Sequence, residues 1–381
     1  MRIVIAGGGI AGVEAALTLA KGHPTADVTL IHQWPSLRLL PNLVYVPFGV
    51  SPHRLDIPIA ESLEPLRIRC ISGTIERIDR AANCVTVDGF GIAYDALIIA
   101  TGTVPSDDSA RTLRSLDDAL RLRHSLYDIA EARRGDIAVV QRPENTWPAP
   151  GYELAALLGM WRTAWAVEHV DISLVTATRE PLSMFGIDAT DIVTSRLAEL
   201  GVDLVSGVPA GRVEGLATGV TIDMVALTAR AIEGGPAVAD DGFYRTRDDG
   251  SVDDRIYVVG DAAAGPFKAA FATARQCRRM LVALGGDIER LGTSVDGVPV
   301  SECEFQMDLG GQTLVVRMPF GPDPADDATM RVKHAELRSN PPQKLRGTLV
   351  RQLLVDNRPG PNPAATFQHV LRYGDRLQGH R

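Results

Sequence analysis

The chain opens on a strand that runs at once into a glycine-rich turn and a helix. Residues 2–6 read RIVIA, residues 7–12 read GGGIAG, and residues 13–21 have a helical composition. A second predicted strand, VTLI at 28–31, completes the unit. In the pattern GxGxxG the glycines permit the tight turn, a close approach of backbone to pyrophosphate, and close helix–strand packing. Because the helix N-terminus offers free N–H groups, the sequence predicts a dinucleotide site. The predicted contacts are Gly7, Gly9, Ile10, Ala11 and Gly12.

One expected part of this unit is missing. An acidic residue usually ends the second strand and hydrogen-bonds the adenosine ribose. Here the strand runs into His32, Gln33 and Trp34, and Glu14 cannot replace the acid because it lies in the helix. A hydrogen bond from His32 or Gln33 to a ribose hydroxyl is weaker than one from a carboxylate. We predict His32 and Gln33 as cofactor-binding residues.

Two later apolar strands end in short polar turns. Residues 94–103 read YDALIIATGT, and residues 256–264 read IYVVGDAAA. The motifs GxGxxG, ATG and GD therefore follow one another in this order along the chain.

This order resembles the pyridine-nucleotide–disulfide oxidoreductase superfamily, whose members are FAD-dependent flavoproteins with two dinucleotide-binding domains. The resemblance implies bound FAD, with Thr101 and Gly102 lining its diphosphate and adenine side. It also implies that Gly260 and Asp261 bind FAD, with Asp261 hydrogen-bonded to the ribityl chain. A helix beginning near Ala262 would direct its positive end at the flavin and stabilise the anionic reduced form.

Three segments are closest to sulfide:quinone oxidoreductases and flavocytochrome c sulfide dehydrogenases. They are QWPSLRLLPNLVYVPFGV at 33–50, PGYEL at 150–154 and GPFKAAFATARQ at 265–276. The resemblance extends over about residues 1–320 and implies that Lys268 lies near the flavin or a quinone. There its charge would stabilise negative charge on the flavin pyrimidine or a quinone oxygen, so Lys268 is a catalytic candidate.

Sulfide-oxidising relatives use two cysteines near the flavin, and this chain retains at most one. Its cysteines are Cys70, Cys84, Cys277 and Cys303. Trp147 or a neighbour stands in the place of the first family cysteine. Cys303 is the positional candidate for the second, although the closest register puts Phe305 there. Cys303 is therefore the second catalytic candidate, with a structural thiol as the alternative. The cysteine spacings do not match a zinc site, and we predict no metal.

The stretch at 139–159, VVQRPENTWPAPGYELAALLG, has a strand–turn–helix pattern in which prolines replace glycines. A nicotinamide-binding turn has glycines seven, five and two residues before the helix glutamate, and Glu153 places Thr146, Pro148 and Gly151 there. Proline has no N–H to donate, and its ring fills the space that a pyrophosphate needs. We predict that this turn does not bind NAD(P)H in the usual way.

We therefore predict an α/β fold with two Rossmann-like dinucleotide-binding domains and a C-terminal α+β interface region. One domain is of FAD type and the other of degenerate NAD type. The predicted boundaries are 1–110 and 236–290 for the FAD domain, 111–235 for the NAD-like domain, and 291–381 for the C-terminal region. Local patterns also predict antiparallel strands within 66–87, helices at 112–134, 152–166 and 188–200, and a hairpin of 302–308 with 312–318.

Charge and composition restrict the partners. The net charge is −8, yet residues 331–381 hold ten Lys/Arg against three Asp/Glu. An acidic body with a basic tail excludes a nucleic-acid protein, and the tail suits an anionic membrane surface or an acidic partner, or is simply solvated. The few cysteines and the lack of a long apolar run predict a cytoplasmic protein, peripheral at most to a membrane. A homodimer through the C-terminal region is compatible with the resemblance.

The predicted function is an FAD-dependent oxidoreductase of the sulfide:quinone-reductase-like type. It would pass electrons from a small reductant through FAD to a quinone or a redox-protein acceptor. One alternative is an NAD(P)H-dependent flavin reductase, similar to type II NADH dehydrogenase or ferredoxin reductase. The other is a flavin-bearing partner subunit or sensor with little turnover.

Overall fold

The computed structural model gives the positions of most of the chain. The described residues are 1–106, 112–142, 144–208, 219–292, 302–319, 334–346, 348–351, 353 and 364. The strands are β1 (Arg2–Ala6), β2 (Asp27–His32), β3 (Ser36–Arg38), β4 (Asp56–Pro58), β5 (Arg69–Ser72), β6 (Ile75–Asp79), β7 (Cys84–Val87), β8 (Phe90–Ala93), β9 (Ala96–Ile99), β10 (Thr103–Pro105), β11 (Asp136–Gln141), β12 (Asp171–Thr176), β13 (Asp203–Val205), β14 (Val220–Met224), β15 (Leu227–Ala229), β16 (Ile256–Val258), β17 (Glu302–Asp308), β18 (Thr313–Pro319) and β19 (His334–Arg338). The α-helices are α1 (Ile10–Gly22), α2 (Ile59–Leu63), α3 (Leu116–Ala132), α4 (Ala149–Ala164), α5 (Ile187–Glu199) and α6 (Ala270–Ala283). The 3₁₀ segments are Leu40–Phe48, Pro52–Leu55, Glu64–Leu66, Ser183–Phe185, Gly260–Ala262 and Ile288–Leu291.

The first sheet is parallel, in the order β16-β9-β1-β2-β5. Its central strand, β1, is buried from Ile3 onward, as expected for a strand covered on both faces. The glycine turn follows β1 at the carboxyl edge of the sheet, where ligands of open α/β sheets bind. Because β16 pairs with β9, the chain returns to this sheet after the second nucleotide unit.

The second sheet is also parallel, in the order β13-β12-β11-β14. Its central strand β11 leads into α4, which begins at Ala149 rather than at the predicted residue 152. Pro148 and Pro150 explain the earlier start, because proline is tolerated in the first turn of a helix. The antiparallel pair β10 and β15 connects the two sheets.

The third sheet contains the predicted hairpin. Strands β17 and β18 pair over their whole lengths, and the turn between them places Gly310 and Gly311 at φ 66° and 86°. Strand β19, which the sequence pattern did not indicate, adds a third antiparallel strand. The largest hydrophobic core joins the second sheet and its helices to β17, β18 and the 3₁₀ segment Leu40–Phe48. Two other clusters cover the two faces of the first sheet.

Two local predictions are wrong. The strands within residues 66–87 are not all antiparallel, because β5 pairs in parallel with β2 and so joins the first sheet. Nε and Nη2 of Arg69 on β5 both donate hydrogen bonds to the Thr29 hydroxyl on β2. Only β6, β7 and β8 form an antiparallel sheet. The helix after the GD turn begins at Ala270, not near Ala262. The Ala262 carbonyl, which a helix starting there would use, accepts instead from the backbone of Tyr244.

In the described part of the chain, no helix has both the length and the apolar character needed to cross a membrane.

Candidate flavin site and second nucleotide turn

The glycine turn after β1 has the shape that a bound pyrophosphate requires. A Cβ on Gly7 would lie 2.4 Å from the Ala100 carbonyl oxygen, and one on Gly12 would lie 1.8 Å from that of Gly7. A Cβ on Gly9 would meet nothing within 4 Å, so the chain leaves open space there. Gly9 is the N-cap of α1 and has no side-chain cap, and residues 10–11 form the first turn. The free N–H groups of that turn fit an anionic phosphate group.

The end of β2 lies beside this turn. A Cβ on Gly8 would come within 2.4 Å of the His32 Cβ, so the two segments are in contact. His32 is buried, whereas Gln33 and Trp34 are exposed. The structure thus places His32 at the glycine turn and Gln33 at the surface next to it.

The ATG turn follows β9, the neighbour of β1. Ala100 donates its backbone N–H to Ala6, and the Thr101 hydroxyl donates to the Arg230 carbonyl at 3.4 Å. Gly102 has φ 66°, in the left-handed region, and a Cβ there would meet no atom within 4 Å. Thr101 and Gly102 therefore border the same carboxyl edge of the first sheet as the glycine turn.

The GD turn packs directly on α1. Gly260 has φ 77°, and a Cβ there would lie 2.3 Å from the Ala11 Cβ. Its backbone N–H donates to Gln276 Oε1 at 2.6 Å. Burial raises the pKa of Asp261, and the nearby charges of Arg114 and Lys268 oppose that rise. The predicted FAD-binding residues, other than the exposed Gln33, thus come together at one edge of the first sheet.

Arg114 is a site residue that the sequence reasoning missed. Its Nη2 donates to the Thr103 hydroxyl at 3.2 Å, immediately after the ATG turn. Burial lowers the pKa of Arg114, while Asp261 and Asp118 raise it, so a positive charge faces Asp261 inside the protein. Arg114 therefore places a buried positive charge beside the ATG and GD turns, among the predicted FAD-binding residues. Nothing in the local sequence around Arg114 indicated that it reaches the GD turn.

Lys268 anchors the GD turn. Its Nζ donates to the carbonyl oxygens of Asp261 at 3.0 Å and Ala263 at 2.6 Å. It also lies 3.7 Å from the ring centroid of Phe243. Burial lowers the pKa of Lys268 to about 8, with Asp261 opposing the shift. Two of the three ammonium N–H groups are therefore engaged with backbone, and the catalytic role of Lys268 stays a prediction.

The second nucleotide turn is filled by the protein itself. Gln141, the last residue of β11, donates its Nε2 to the Pro148 carbonyl at 2.7 Å and accepts from Asn145 Nδ2 at 3.1 Å. A Cβ on Gly151 would come within 2.1 Å of Gln141 Nε2. The glutamine amide therefore lies against the turn and ties it to the sheet, and Pro148 offers no N–H.

The nearest cation in this turn is already paired. Arg142 contacts Asp223 Oδ1 through Nε at 2.8 Å and through Nη2 at 2.6 Å. The carboxylate neutralises the guanidinium, so Arg142 does not replace the missing pyrophosphate contacts with a free positive charge.

Four aromatic rings form a cluster where the second turn, the loop after GD and the third sheet meet. This aromatic cluster consists of Trp147, Phe185, Phe267 and Phe305. The Trp147 ring centroid lies 6.0 Å from Phe185, 6.1 Å from Phe267 and 5.6 Å from Phe305, each in edge-to-face geometry. The two positions where the resemblance expected cysteines, at Trp147 and Phe305, therefore hold two aromatic rings in contact.

The cysteines with described side chains lie elsewhere. Cys70 is on β5 and Cys84 is on β7. Cys277 is fully buried in α6 with its Sγ 4.0 Å from the Ala11 carbonyl oxygen, and burial raises its pKa well above the ordinary value. The backbone of Cys303 is part of β17, and its side chain lies outside the described residues. The catalytic candidacy of Cys303 stays a prediction.

A buried polar cluster lies at the start of α4. Its members are Tyr45, Glu153, Asp308 and Lys344. Lys344 Nζ is 2.7 Å from Glu153 Oε1, and both side chains are under one tenth exposed. Glu153 Oε1 also accepts the backbone N–H of Asp308, and the Tyr45 hydroxyl donates to Asp308 Oδ2 at 3.2 Å. Burial, and then the charge of Glu153, raises the pKa of Asp308 to about 6.

Residues 1–140 match the family model of the pyridine nucleotide-disulphide oxidoreductases. The rhodocoxin reductase of Rhodococcus erythropolis is 27% identical over 297 residues, which are 70% of this chain and 66% of that protein. The match thus spans just under two thirds of that relative's length.

Solved structures share the fold. The sulfide:quinone oxidoreductase of Aquifex aeolicus superposes with a TM-score of 0.74 at 18% identity, covering 98% of this chain and 92% of its own. A ferredoxin reductase from Rhodopseudomonas palustris superposes with a TM-score of 0.60 at 19% identity, covering 84% and 82%. At these identities the likeness establishes the fold.

The two parallel sheets with their nucleotide turns define an α/β flavoprotein with two Rossmann-like units, as the sequence predicted. Over residues 1–140 the chain is similar to the pyridine nucleotide-disulphide oxidoreductases, which agrees with the resemblance stated from the sequence motifs. These matches support the predicted cofactor, FAD, and the predicted oxidoreductase class.

Proposed function

We propose that this protein is an FAD-dependent oxidoreductase of the sulfide:quinone-oxidoreductase-like type. It takes electrons from a small reductant and passes them through FAD to a quinone or a redox-protein acceptor. The observation that carries the proposal is the filled second turn. Thr146 and Pro148 stand where a nicotinamide dinucleotide would need glycines, the Gln141 amide lies against the turn, and Asp223 neutralises Arg142. A dinucleotide donor therefore has no pyrophosphate site of the usual kind.

The aromatic cluster supports an apolar redox partner. Trp147 and Phe267 are under one tenth exposed, and Phe185 is fully buried. A planar apolar ring such as a quinone packs well against aromatic side chains, whereas a charged dinucleotide would lose hydration there. The cluster connects the second turn to the loop after the GD turn, which places it between the two nucleotide units.

Bound FAD supplies the ability to accept electrons from one partner and release them to another. In the proposal the chain binds and orients that cofactor. Gly9 and the first turn of α1 hold its pyrophosphate, with Arg114 adding a positive charge nearby. Asp261 holds the ribityl chain. Lys268 fixes the GD turn by bonding two of its carbonyl oxygens, so that Asp261 stays in one position.

A thiol step is a separate part of the proposal. In the described residues Cys70, Cys84 and Cys277 are on β5, β7 and α6, away from the aromatic cluster, which leaves Cys303 as the candidate. The variant Cys303→Ser tests this part alone. If sulfide reduces the flavin of the variant as fast as that of the wild type, thiol chemistry is excluded and the reductant reaches the flavin directly.

Anaerobic stopped-flow spectroscopy of the FAD-loaded full chain tests the donor. We expect NADH and NADPH to bleach the flavin slowly and without saturation, and a small reductant such as sulfide to bleach it faster. A water-soluble quinone should then restore the oxidised spectrum. Rapid, saturable bleaching by NADH would overturn the proposal.

A variant sharpens this test. In the double variant Gln141→Ala, Pro148→Gly, the turn regains space and a backbone N–H. If the filled turn limits access, NADH should reduce this variant faster than the wild type, while reduction by sulfide stays the same. Equal NADH rates in both proteins would show that the turn is not what excludes the dinucleotide.

A second candidate, an NAD(P)H-dependent flavin reductase, has one observation in its favour. The relative with 27% identity over 297 residues is called a rhodocoxin reductase, and its match covers 70% of this chain. The same stopped-flow experiment separates the two candidates, because only the reductase requires saturable reduction by NADH or NADPH. If neither donor reduces the flavin, the chain fits a flavin-bearing partner subunit instead.

A further inference from the structure

The Arg114 side chain has a charged end but few fixed partners. Within the described part of the chain its guanidinium makes no ion pair, and its one hydrogen bond runs from Nη2 to the Thr103 hydroxyl at 3.2 Å. A single bond to a neutral hydroxyl leaves a long side chain much of its rotamer freedom. The position of the guanidinium therefore depends on how firmly the backbone at residue 114 is held.

Packing alone does not hold the linker, residues 112–115, which precedes α3. Thr112, Leu113 and Arg114 line a cavity of about 30 Å³, and Asn145 and Trp147 of the second nucleotide turn line it from another side. A space of this size accommodates about one water molecule, so the linker has room to shift. A specific restraint is needed to keep Arg114 in place.

Asp118, in the first turn of α3, provides this restraint. Its Oδ2 accepts hydrogen bonds from the Thr112 hydroxyl at 3.1 Å, the Arg114 backbone N–H at 3.0 Å and the Ser115 backbone N–H at 2.8 Å. The Asp118 side chain is only 10% exposed, so water competes little for these bonds. One carboxylate oxygen thus ties residues 112, 114 and 115 to the helix.

These bonds exceed what the end of the helix requires. In a capping box the N-cap side chain accepts from the N3 backbone, and the N3 side chain accepts from the N-cap backbone. Ser115 and Asp118 form this pair, with the Ser115 hydroxyl 3.1 Å from the Asp118 backbone nitrogen. The bonds from the Thr112 hydroxyl and the Arg114 N–H are additional, and they restrain residues that lie before the cap.

We propose that Asp118 is a positioning residue of the flavin site, which holds the linker so that the Arg114 guanidinium stays beside the ATG turn. The inference rests on the proposed function, in which Arg114 adds a positive charge near bound FAD. Thr103, the partner of the guanidinium, directly follows Gly102 of that turn. Holding the guanidinium there before FAD arrives reduces the ordering cost of binding.

Isothermal titration calorimetry of the flavin-stripped full chain with FAD tests this role through a double-mutant cycle of Arg114→Ala and Asp118→Ala. Ser115→Ala is the matched control, because it also disrupts the capping box but leaves all three bonds to Asp118 Oδ2. Asp118→Asn is the conservative variant, because it keeps an oxygen acceptor for the linker and loses the exposed ion pair with Arg121. Thermal unfolding checks that each variant folds, and Asp118→Ser replaces Asp118→Ala if the latter does not.

We expect Arg114→Ala to bind FAD at least about tenfold more weakly than the wild type, and Asp118→Ala about three- to tenfold more weakly. Ser115→Ala should melt at a lower temperature, yet its affinity for FAD and that of Asp118→Asn should stay within about twofold of the wild type. In the Arg114→Ala background, Asp118→Ala should not change the affinity further.

Independent effects of the two substitutions, which multiply in the double variant, would overturn the inference. The same holds if Ser115→Ala or Asp118→Asn loses as much affinity as Asp118→Ala. Wild-type affinity in Asp118→Ala, together with weak binding by Arg114→Ala, would overturn the inference and leave the proposed function intact. If Arg114→Ala itself binds FAD as the wild type does, the role of Arg114 in the proposed function fails, and this inference fails with it.

Discussion

Replacing Asp308 by asparagine should remove a pH dependence of stability that is built into the buried polar cluster. Asp308 is completely buried at the end of β17. Its Oδ1 accepts from the backbone of Gly311 at 2.9 Å, and its Oδ2 accepts from the Tyr45 hydroxyl at 3.2 Å. Asparagine retains the shape and an acceptor for Gly311, and its amide can donate to the tyrosine oxygen. The substitution thus changes the charge and little else.

The magnitude follows from the pKa of Asp308, which burial and the neighbouring Glu153 raise from 3.8 to about 6. The charged groups facing it are Glu153 and Lys344, whose ion pair of 2.7 Å carries the nearest positive charge. One pKa unit corresponds to about 1.4 kcal/mol, so ionised Asp308 destabilises the fold by about 3 kcal/mol relative to the protonated form.

The sign is set by the raised value. Below 3.8 both the folded and the unfolded chain hold the proton, and Asp308 has no effect on the pH dependence. Between 3.8 and about 6 the folded chain holds a proton that the unfolded chain has released, so stability falls as pH rises through this window. Above about 6 the whole effect is present, and stability no longer changes with this group.

Urea unfolding of wild type and Asp308→Asn, at several pH values from about 4.5 to about 8, measures the difference directly. We expect the variant to be more stable by about 3 kcal/mol near pH 8, and we expect this difference to shrink to about 1 kcal/mol near pH 4.5. Asp95→Asn is the control: Arg2 lowers the pKa of the exposed Asp95 to about 2, so its titration lies below this window. A stability difference for Asp308→Asn that does not change with pH, or that favours the wild type at pH 8, would refute the reasoning.

Further substitutions test the glycine turn, the C-terminal segment and the aromatic cluster. Gly9→Ala should fold with an unchanged melting temperature, because its Cβ enters open space, but it should lose FAD on gel filtration, because that space is where the pyrophosphate is expected. Gly12→Ala should fail to fold, because its Cβ would lie 1.8 Å from a backbone oxygen. Equal flavin retention by Gly9→Ala and wild type would contradict this prediction. Glu14→Ala removes the acceptor of the backbone amides at 349–350 and should lower the free energy of unfolding, measured in urea, by about 3 kcal/mol. Hydrogen exchange of these two amides should become faster. Unchanged exchange would show that another group binds them. Trp147→Ala should lower the free energy of unfolding by about 3–5 kcal/mol and Trp147→Phe by much less, because three rings pack on the indole. Equal losses of stability in the two variants would show that ring packing is not what stabilises the cluster.

Features set by short-range chemistry could be predicted from the sequence. The turn at residues 7–12 needs glycine where a Cβ would strike the backbone, and the contacts at Gly7 and Gly12 are of this kind. The hairpin of β17 and β18 followed from alternating residues around Gly310 and Gly311, both at positive φ. Turn chemistry and strand periodicity are local, so a single sequence contains them.

The errors and omissions come from contacts between distant parts of the chain. The short run at β5 alternates as an edge strand would, and only its position beside β2 shows that it continues the parallel sheet. Arg114 lies before a helix, and only the folded chain brings it near Asp261. The bond from Leu349 to Glu14 spans 335 residues. Pairings of this kind depend on the global fold, and local propensity does not encode them.

Lys344 and the backbone at 349–350 contact buried glutamates in both nucleotide units. Lys344 makes the ion pair with Glu153 and donates to the Pro41 carbonyl. Five residues on, the backbone N–H groups at 349 and 350 donate to Glu14 Oε1 at 3.0 Å and Oε2 at 2.9 Å. Both glutamates are buried, so each needs these partners to offset its lost hydration.

The two glutamates occupy equivalent places in the two units. Glu14 stands two residues after Gly12, which packs α1 against the first sheet, and Glu153 stands two residues after Gly151, which packs α4 against the second. Lys344 and the backbone at 349–350 thus contact the glutamate at the same position in each nucleotide helix. In the second unit this position lies beside the turn against which the Gln141 side chain packs. Glu153 pairs with Lys344 and accepts from the Asp308 backbone, so its role in holding the fold together does not require a bound dinucleotide.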